Sequence, residues 1–241
     1  MIYAVVNQKG GVGKTTTVGA LGAAFAALGL RVLLVDLDPQ AGLTISYGVD
    51  PDTLDLTVYQ VFLEETQLRY VIRKTPIEHV DLVPANLDLA GAEAELIGEL
   101  GWDRTLKDAL KDVSYDAIVL DCPPTLGILT TNALVAADMA IVPMQCEYLA
   151  LRALKQLQKI LVKVKRKANP NLDMKILRTM YDSRTSHGRE VFEEIAAAGG
   201  SHVLHTVIRR TVKFADAAAS GTPLVAMYAD LAQELIDGTT P

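Results

Sequence analysis

An apolar run at residues 2–6 leads into Lys9-Gly10-Gly11-Val12-Gly13-Lys14-Thr15-Thr16, and an Ala/Leu-rich segment follows at once. This order of strand, glycine turn and helix constrains the fold more than any other stretch. The glycines let consecutive backbone amides turn inward on one anion, and the helix that leaves adds the positive end of its dipole. Such a loop binds phosphate. Lys14 is placed for the β/γ-phosphates, the Thr15 hydroxyl for Mg²⁺, and Gly10, Gly11, Val12, Gly13 and Thr16 for close contact with the nucleotide. The spelling departs from the ordinary G-x-x-x-x-G-K-[ST]. It reads K-G-G-x-G-K-T, which sets a second lysine, Lys9, at the mouth of the loop.

Further strand-like runs follow at residues 31–35, 80–84, 117–120, 140–143, 175–179 and 203–208. Helical patterns fall at 16–28, 87–100, 126–137, 149–167, 188–198 and 229–236. Alternating strands and helices predict an α/β fold: a doubly wound, mainly parallel sheet with helices on both faces. A single domain over 1–241 is expected, with ligands at the carboxyl ends of the strands. Residues 49–75 are less regular and read as an excursion from the sheet. Two cysteines, Cys122 and Cys146, are too few for a disulfide framework and suit a reducing cytoplasm. No apolar stretch approaches the ~20 residues a membrane span needs. A cytoplasmic protein without membrane attachment is therefore expected.

Two acidic positions bear on the loop. Asp121 ends the run 117–120, and a carboxylate at the tip of a buried strand beside a phosphate loop is a Mg²⁺ partner; a strand-end cap is the plainer alternative. Asp36-Leu37-Asp38-Pro39-Gln40 ends the second strand. Asp36 and Asp38 stand two residues apart where the strand ends, and they are expected to serve different roles. One of them can orient a water near a γ-phosphate; an Asx-Pro turn is the alternative. The four histidines show no ligand spacing.

Charge is unevenly spread. The net charge is −6, but residues 1–150 carry −11 and residues 151–241 carry +5. Arg152, Lys155, Lys159, Lys163 and Arg166 fall at helical spacing on one face, either a phosphate-binding stripe or a solvated face. Arg209, Arg210 and Lys213 form another basic cluster. Phosphate-backbone binding needs only such charge, and it carries no sequence preference and weakens steeply with salt.

Four ordered motifs carry a resemblance: N-Q-K-G-G-V-G-K-T-T-T at 7–17, V-D-L-D-P-Q at 35–40, L-D-C-P-P at 120–124 and T-M-Y-D-S-R-T at 179–185. The chain resembles the ParA/Soj chromosome- and plasmid-partition ATPases, which have a deviant Walker A motif. The resemblance implies ATP and Mg²⁺ as ligands and a homodimer that forms on ATP binding. It implies that Lys9 reaches the partner's nucleotide and that Lys14 is the ordinary Walker lysine. Thr15 and Asp121 match the Mg²⁺ site, with Asp38 beside them, and Asp38 matches the aspartate that polarises the hydrolytic water. An extra cation supplied in trans stabilises charge on the transferring phosphoryl group as an arginine finger does. Met180 is expected against the adenine. Where relatives read I-P-R-N this chain reads Ile208-Arg209-Arg210-Thr211, so Arg209 replaces the proline and adds charge near the base. Arg184 matches an arginine that supports non-specific binding to double-stranded DNA. A ParB-like centromere-binding protein is the implied stimulating partner, and the nucleoid the implied location.

The rival readings are a MinD-like membrane-associated division-site ATPase, a nucleotide-gated DNA scaffold with negligible turnover, and a metabolic kinase or synthetase. The segment 228–241 has no Lys or Arg, unlike the basic amphipathic helix that enters a lipid surface. Nothing in the sequence marks a small-molecule acceptor pocket.

Overall fold

A computed structural model describes residues 1–63, 65–145, 150–182, 186–211 and 225–238. Eight strands form one sheet: β1 Ile2–Val5, β2 Val32–Asp36, β3 Arg73–Lys74, β4 Val80–Val83, β5 Ala117–Asp121, β6 Met139–Gln145, β7 Asp173–Tyr181 and β8 Val203–Arg209. Their order is β3-β4-β2-β5-β1-β6-β7-β8. All neighbours are parallel except the short edge pair β3/β4. β5 lies on one side of β1, and the next strand in the chain, β6, lies on the other. The chain thus reverses direction across β1, and this is where an open α/β sheet leaves a crevice at its carboxyl edge.

The strand residues are almost wholly apolar because both faces are covered. Alternation sorts them. Tyr3, Val5, Val32, Leu34, Val119 and Ile141 point to one core, while Ala4, Leu33, Val35, Ile118, Leu120 and Val142 point to the other. Helices α1 Lys14–Ala27 and α2 Gly42–Ser46, with the last helix, α10 Val225–Asp237, cover the first face. On the second face lie α3 Val58–Phe62, α4 Leu68–Val71, α5 Leu89–Glu95, α6 Thr105–Ala109, α7 Ile128–Ala136, α8 Ala150–Lys167 and α9 Ser186–Gly199. α1 carries Gly22 where it crosses β2; a Cβ there would stand 2.5 Å from Leu34 Cδ2, so the glycine sets how closely helix and sheet approach.

The excursion at residues 49–75 is a strap of α3 and α4 followed by the edge strand β3. Thr57 and Gln60 close a capping box on α3, which steadies a helix too short to show a period. The pattern at 87–100 folds as a helix only over Leu89–Glu95; Gly98 and Gly101 then adopt left-handed φ of 96° and 79° and turn the chain. No helix among the described residues is long and apolar enough to cross a membrane.

Candidate phosphate site at the carboxyl edge

The loop between β1 and α1 is held at both ends. Asn7, buried at the end of β1, donates its side-chain amide to Pro143 O on β6 at 2.7 Å and accepts the Lys9 N–H at 3.0 Å. Farther on, the Thr179 hydroxyl of β7 donates to Val12 O at 2.9 Å. Gly11 and Gly13 have φ of 74° and 92°, a region that L side chains rarely adopt, and Gly13 is the residue that precedes the first turn of α1. Nothing lies within 4 Å of where a Cβ would sit on Gly10 or Gly11, so the crest of the loop is open. Lys14 is buried and its ammonium reaches back to Lys9 O at 3.4 Å, crossing the loop from inside. No acidic residue occupies the first turn of α1, so its dipole is left uncompensated by side chains.

Asp121 stands beside this cradle at the tip of β5, in register with Val5 of β1 and Asp36 of β2. It is 1% exposed, and neither carboxylate oxygen has a hydrogen-bond partner. Burial drives its pKa well above the usual carboxylate range, and the charge of Asp36 adds to the rise. The Thr15 hydroxyl pulls the other way, although its approach falls short of hydrogen-bond geometry; Asp38 raises the pKa and Lys14 lowers it by smaller amounts. A buried carboxylate without a donor, next to a lysine and a threonine hydroxyl, is the arrangement a divalent cation completes. Thr15 and Asp121 therefore fit Mg²⁺.

The paired aspartates divide their work, but not by strand alternation, which sets residues two apart on the same face: β2 ends at Asp36, and Asp38 lies in the loop beyond it. Asp36 is fully buried and accepts from Thr44 N–H at 2.9 Å, the Thr44 hydroxyl at 2.7 Å and Asp38 N–H at 3.1 Å. Burial raises its pKa to about 6, against the pull of those donors, and the charge of Asp38 raises it further. Asp36 is thus an anchor. Asp38 is half-buried at the opening of the crevice, where its carboxylate accepts Gln40 N–H at 3.0 Å. The Thr44 hydroxyl in turn accepts Ala85 N–H at 3.0 Å and ties the Asp38 loop to the end of β4. Asn7 and Thr179 open two of the ordered motifs without a role that the sequence reveals, and Thr44 lies in no motif; the D-L-D pair predicts only that its two aspartates serve different roles.

The structure brings Lys9, residues 10–16, Asp38, Asp121, Met180 and Arg209 to the carboxyl edge. Lys9 is half-buried, with its ammonium 3.3 Å from Gln145 Oε1 at the end of β6. Met180 has a left-handed φ of 51°, and its Cε lies 4.0 Å from where a Gly13 Cβ would sit, so the end of β7 is bent toward the loop. Arg209 pairs with Tyr181 at the ends of β8 and β7; both Arg209 and Arg210 are exposed. Arg184, Lys213 and Cys146 lie outside the described residues, while Cys122 is buried. On α8, Leu154, Leu157, Leu161 and Val164 are buried, and Arg152, Lys155, Lys159, Lys163 and Arg166 are exposed. No cluster of metal-ligating His, Cys, Asp and Glu occurs among the described residues.

A family model described as AAA domain matches residues 1–174. Sporulation initiation inhibitor protein Soj of Bacillus subtilis is 42% identical over 246 residues, covering 97% of each chain. Chromosome partitioning protein ParA of Myxococcus xanthus is 38% identical, covering 100% of this chain and 89% of that protein. A solved structure described as cobyrinic acid a,c-diamide synthase from Mycobacterium smegmatis, with bound ATP analogue and magnesium, is 44% identical. It superposes with a TM-score of 0.87 and covers 99% of this chain and 96% of that one.

Proposed function

We infer, from a chain that belongs to the ParA/Soj family of partition ATPases, a Mg²⁺-dependent ATPase whose nucleotide state controls its attachment to DNA. The observation that carries this reading is the buried Asp121 carboxylate, without a hydrogen-bond partner, beside Lys14 and Thr15 under an open phosphate loop.

The amides of residues 10–15 and the dipole of α1 bind the phosphates, and Lys14 neutralises the β/γ-oxygens. Thr15 and Asp121 hold Mg²⁺, with Asp38 near; the ion supplies charge neutralisation at the phosphates. Asp38 orients the attacking water, held in place through Asp36 and Thr44. Met180 and Arg209, at the ends of β7 and β8, flank the base. Lys9 leaves Gln145 to reach the nucleotide of a second copy, so that hydrolysis waits on dimerisation. The ATP-bound dimer binds double-stranded DNA without sequence preference through Arg184, Arg209, Arg210 and Lys213, with the exposed face of α8 as a further basic surface. A ParB-like centromere-binding protein stimulates turnover and releases the dimer.

The test is DNA binding with ATP, ADP or no nucleotide across a salt series, for wild type, Arg184→Ala and Asp38→Ala. Binding is expected with ATP only, falling steeply with salt, weakened by Arg184→Ala and made persistent by Asp38→Ala. Equal binding in all three nucleotide states would refute nucleotide control. A second reading, an ATP-dependent synthetase, follows the description of the Mycobacterium smegmatis structure. It needs an acceptor pocket beside the loop. Among the described residues a large cavity, about 570 Å³, lies at the opposite end of the sheet between Arg31, Lys74 and Tyr115, away from the loop.

A further inference from the structure

The outer surface of α3, α4 and α6 is built unlike the rest of the molecule. Two adjoining depressions of about 390 and 440 Å³ share Glu65 and Thr105. Among the described residues five carboxylates line them, and no Lys, Arg or His does. Asp108 is paired with Lys111 at 2.6 Å, and Glu95 accepts the Tyr59 hydroxyl at 3.0 Å. Glu65, Glu99 and Asp112 make no ion pair among the described residues. Between them stand apolar groups that nothing covers: Leu100 is fully exposed, Leu63 and Trp102 are half-buried, and neighbouring Ile97 is 73% exposed.

A solvated acidic surface does not need an exposed leucine beside a tryptophan, and an apolar groove does not need unpaired carboxylates on its rim. Together they form an anchor pocket with a charged border, the usual anatomy of a recognition site. We propose that this groove docks a lysine- and arginine-rich amphipathic segment of a protein partner. Its apolar side chains would cover Leu63, Leu100 and Trp102, and its cations would pair with Glu65, Glu99 and Asp112. The partner's sign follows from the lining: phosphate-bearing ligands are repelled, and a basic segment is steered in. α8 of a second copy is a poor occupant, because Leu154, Leu157 and Leu161 are already buried in its own core and its outer face is mainly charged. None of the lining residues belongs to the phosphate site, so the inference stands apart from the nucleotide chemistry.

Trp102 is the only tryptophan in the chain, so its fluorescence reports on the groove directly. The probe is a synthetic peptide of about four helical turns with leucine on one face and lysine on the other. The expected result is a saturable change in Trp102 emission that weakens with salt. The affinity should fall about tenfold or more in Leu100→Ser and in Glu99→Lys, with ATP binding unchanged in both. No saturable change, an equal change with a peptide carrying glutamate in place of lysine, or unaltered affinity in both variants would overturn the proposal. Self-association of the peptide-free protein that is lost in Leu100→Ser would also overturn it, by making a second copy the occupant.

Discussion

Replacing Thr44 by valine should loosen the Asp38 loop without touching Asp38. The Thr44 hydroxyl donates to Asp36 at 2.7 Å and accepts Ala85 N–H at 3.0 Å, and both Thr44 and Asp36 are fully buried. Valine keeps the shape, so the hydroxyl alone is lost. A hydrogen bond to a charged acceptor is worth about 1.5–3 kcal/mol, and a buried N–H left without a partner costs about 1–3 kcal/mol. Asp36 keeps two donors, Thr44 N–H and Asp38 N–H, so the lower ends apply and the sum is about 2.5 kcal/mol. In equilibrium urea unfolding with an m-value near 3 kcal/mol/M, the midpoint should drop by about 1 M. Thr44→Ser retains the hydroxyl, loses one methyl and should cost about 1 kcal/mol. ATP turnover should fall in the valine variant and survive in the serine variant. A valine midpoint within about 0.2 M of wild type, or a serine variant as damaged as the valine one, would refute the view that this hydroxyl secures the loop.

Asp121→Asn removes a buried carboxyl group that has no hydrogen-bond partner and is crowded by the charges of Asp36 and Asp38, so the nucleotide-free protein should melt about 2–4 °C higher for each kcal/mol relieved. The same variant should lose the extra stabilisation that Mg²⁺ with ATP gives wild type and that EDTA abolishes; an intact EDTA-sensitive shift would remove Asp121 from the metal site. Gly22→Val places a Cβ 2.5 Å from Leu34 Cδ2 and should cost about 1–3 kcal/mol by overpacking, read in the same urea titration; an unchanged midpoint would show that α1 can lift off the sheet freely. Glu234 of α10 accepts His205 N–H at 2.7 Å and Thr206 N–H at 2.9 Å, capping the edge strand β8. Glu234→Ala should therefore raise aggregation on mild heating, measured by light scattering, and wild-type behaviour would show that the edge is protected by other means.

Most of the sheet is legible along the chain because its strands are buried on both faces and read as short, nearly continuous apolar runs. The elements that escaped are those without a local signature. Arg73–Lys74 is two residues long and becomes a strand only by pairing with Asp81 and Leu82. α2, α3, α4 and α6 span four or five residues each, too short for a helical period to show. The run at 87–100 looked like one helix because the pattern counts apolar positions and ignores the left-handed φ that Gly98 adopts. For the phosphate site, every loop residue was legible, since each lies within one motif. The residues that hold the loop were not: Asn7 meets Pro143, Val12 meets Thr179, and Asp36 meets Thr44, which in turn meets Ala85.

The sequence by itself determined that a strand would turn through glycines into a helix with Lys14 and Thr15 at its start, and that aspartates would end two later strands. These are local matters of backbone sterics, side-chain period and turn chemistry. Only the tertiary structure decided what those aspartates are. The parallel register that sets Asp36 opposite Asp121 also closes both off from water. One then finds three donors and becomes an anchor, while the other finds none and is left as a buried carboxyl group beside Lys14. The division arises because the loop after β2 folds back and aims its own donors, Asp38 N–H, Thr44 N–H and the Thr44 hydroxyl, at Asp36, while no donor reaches Asp121 on the neighbouring strand.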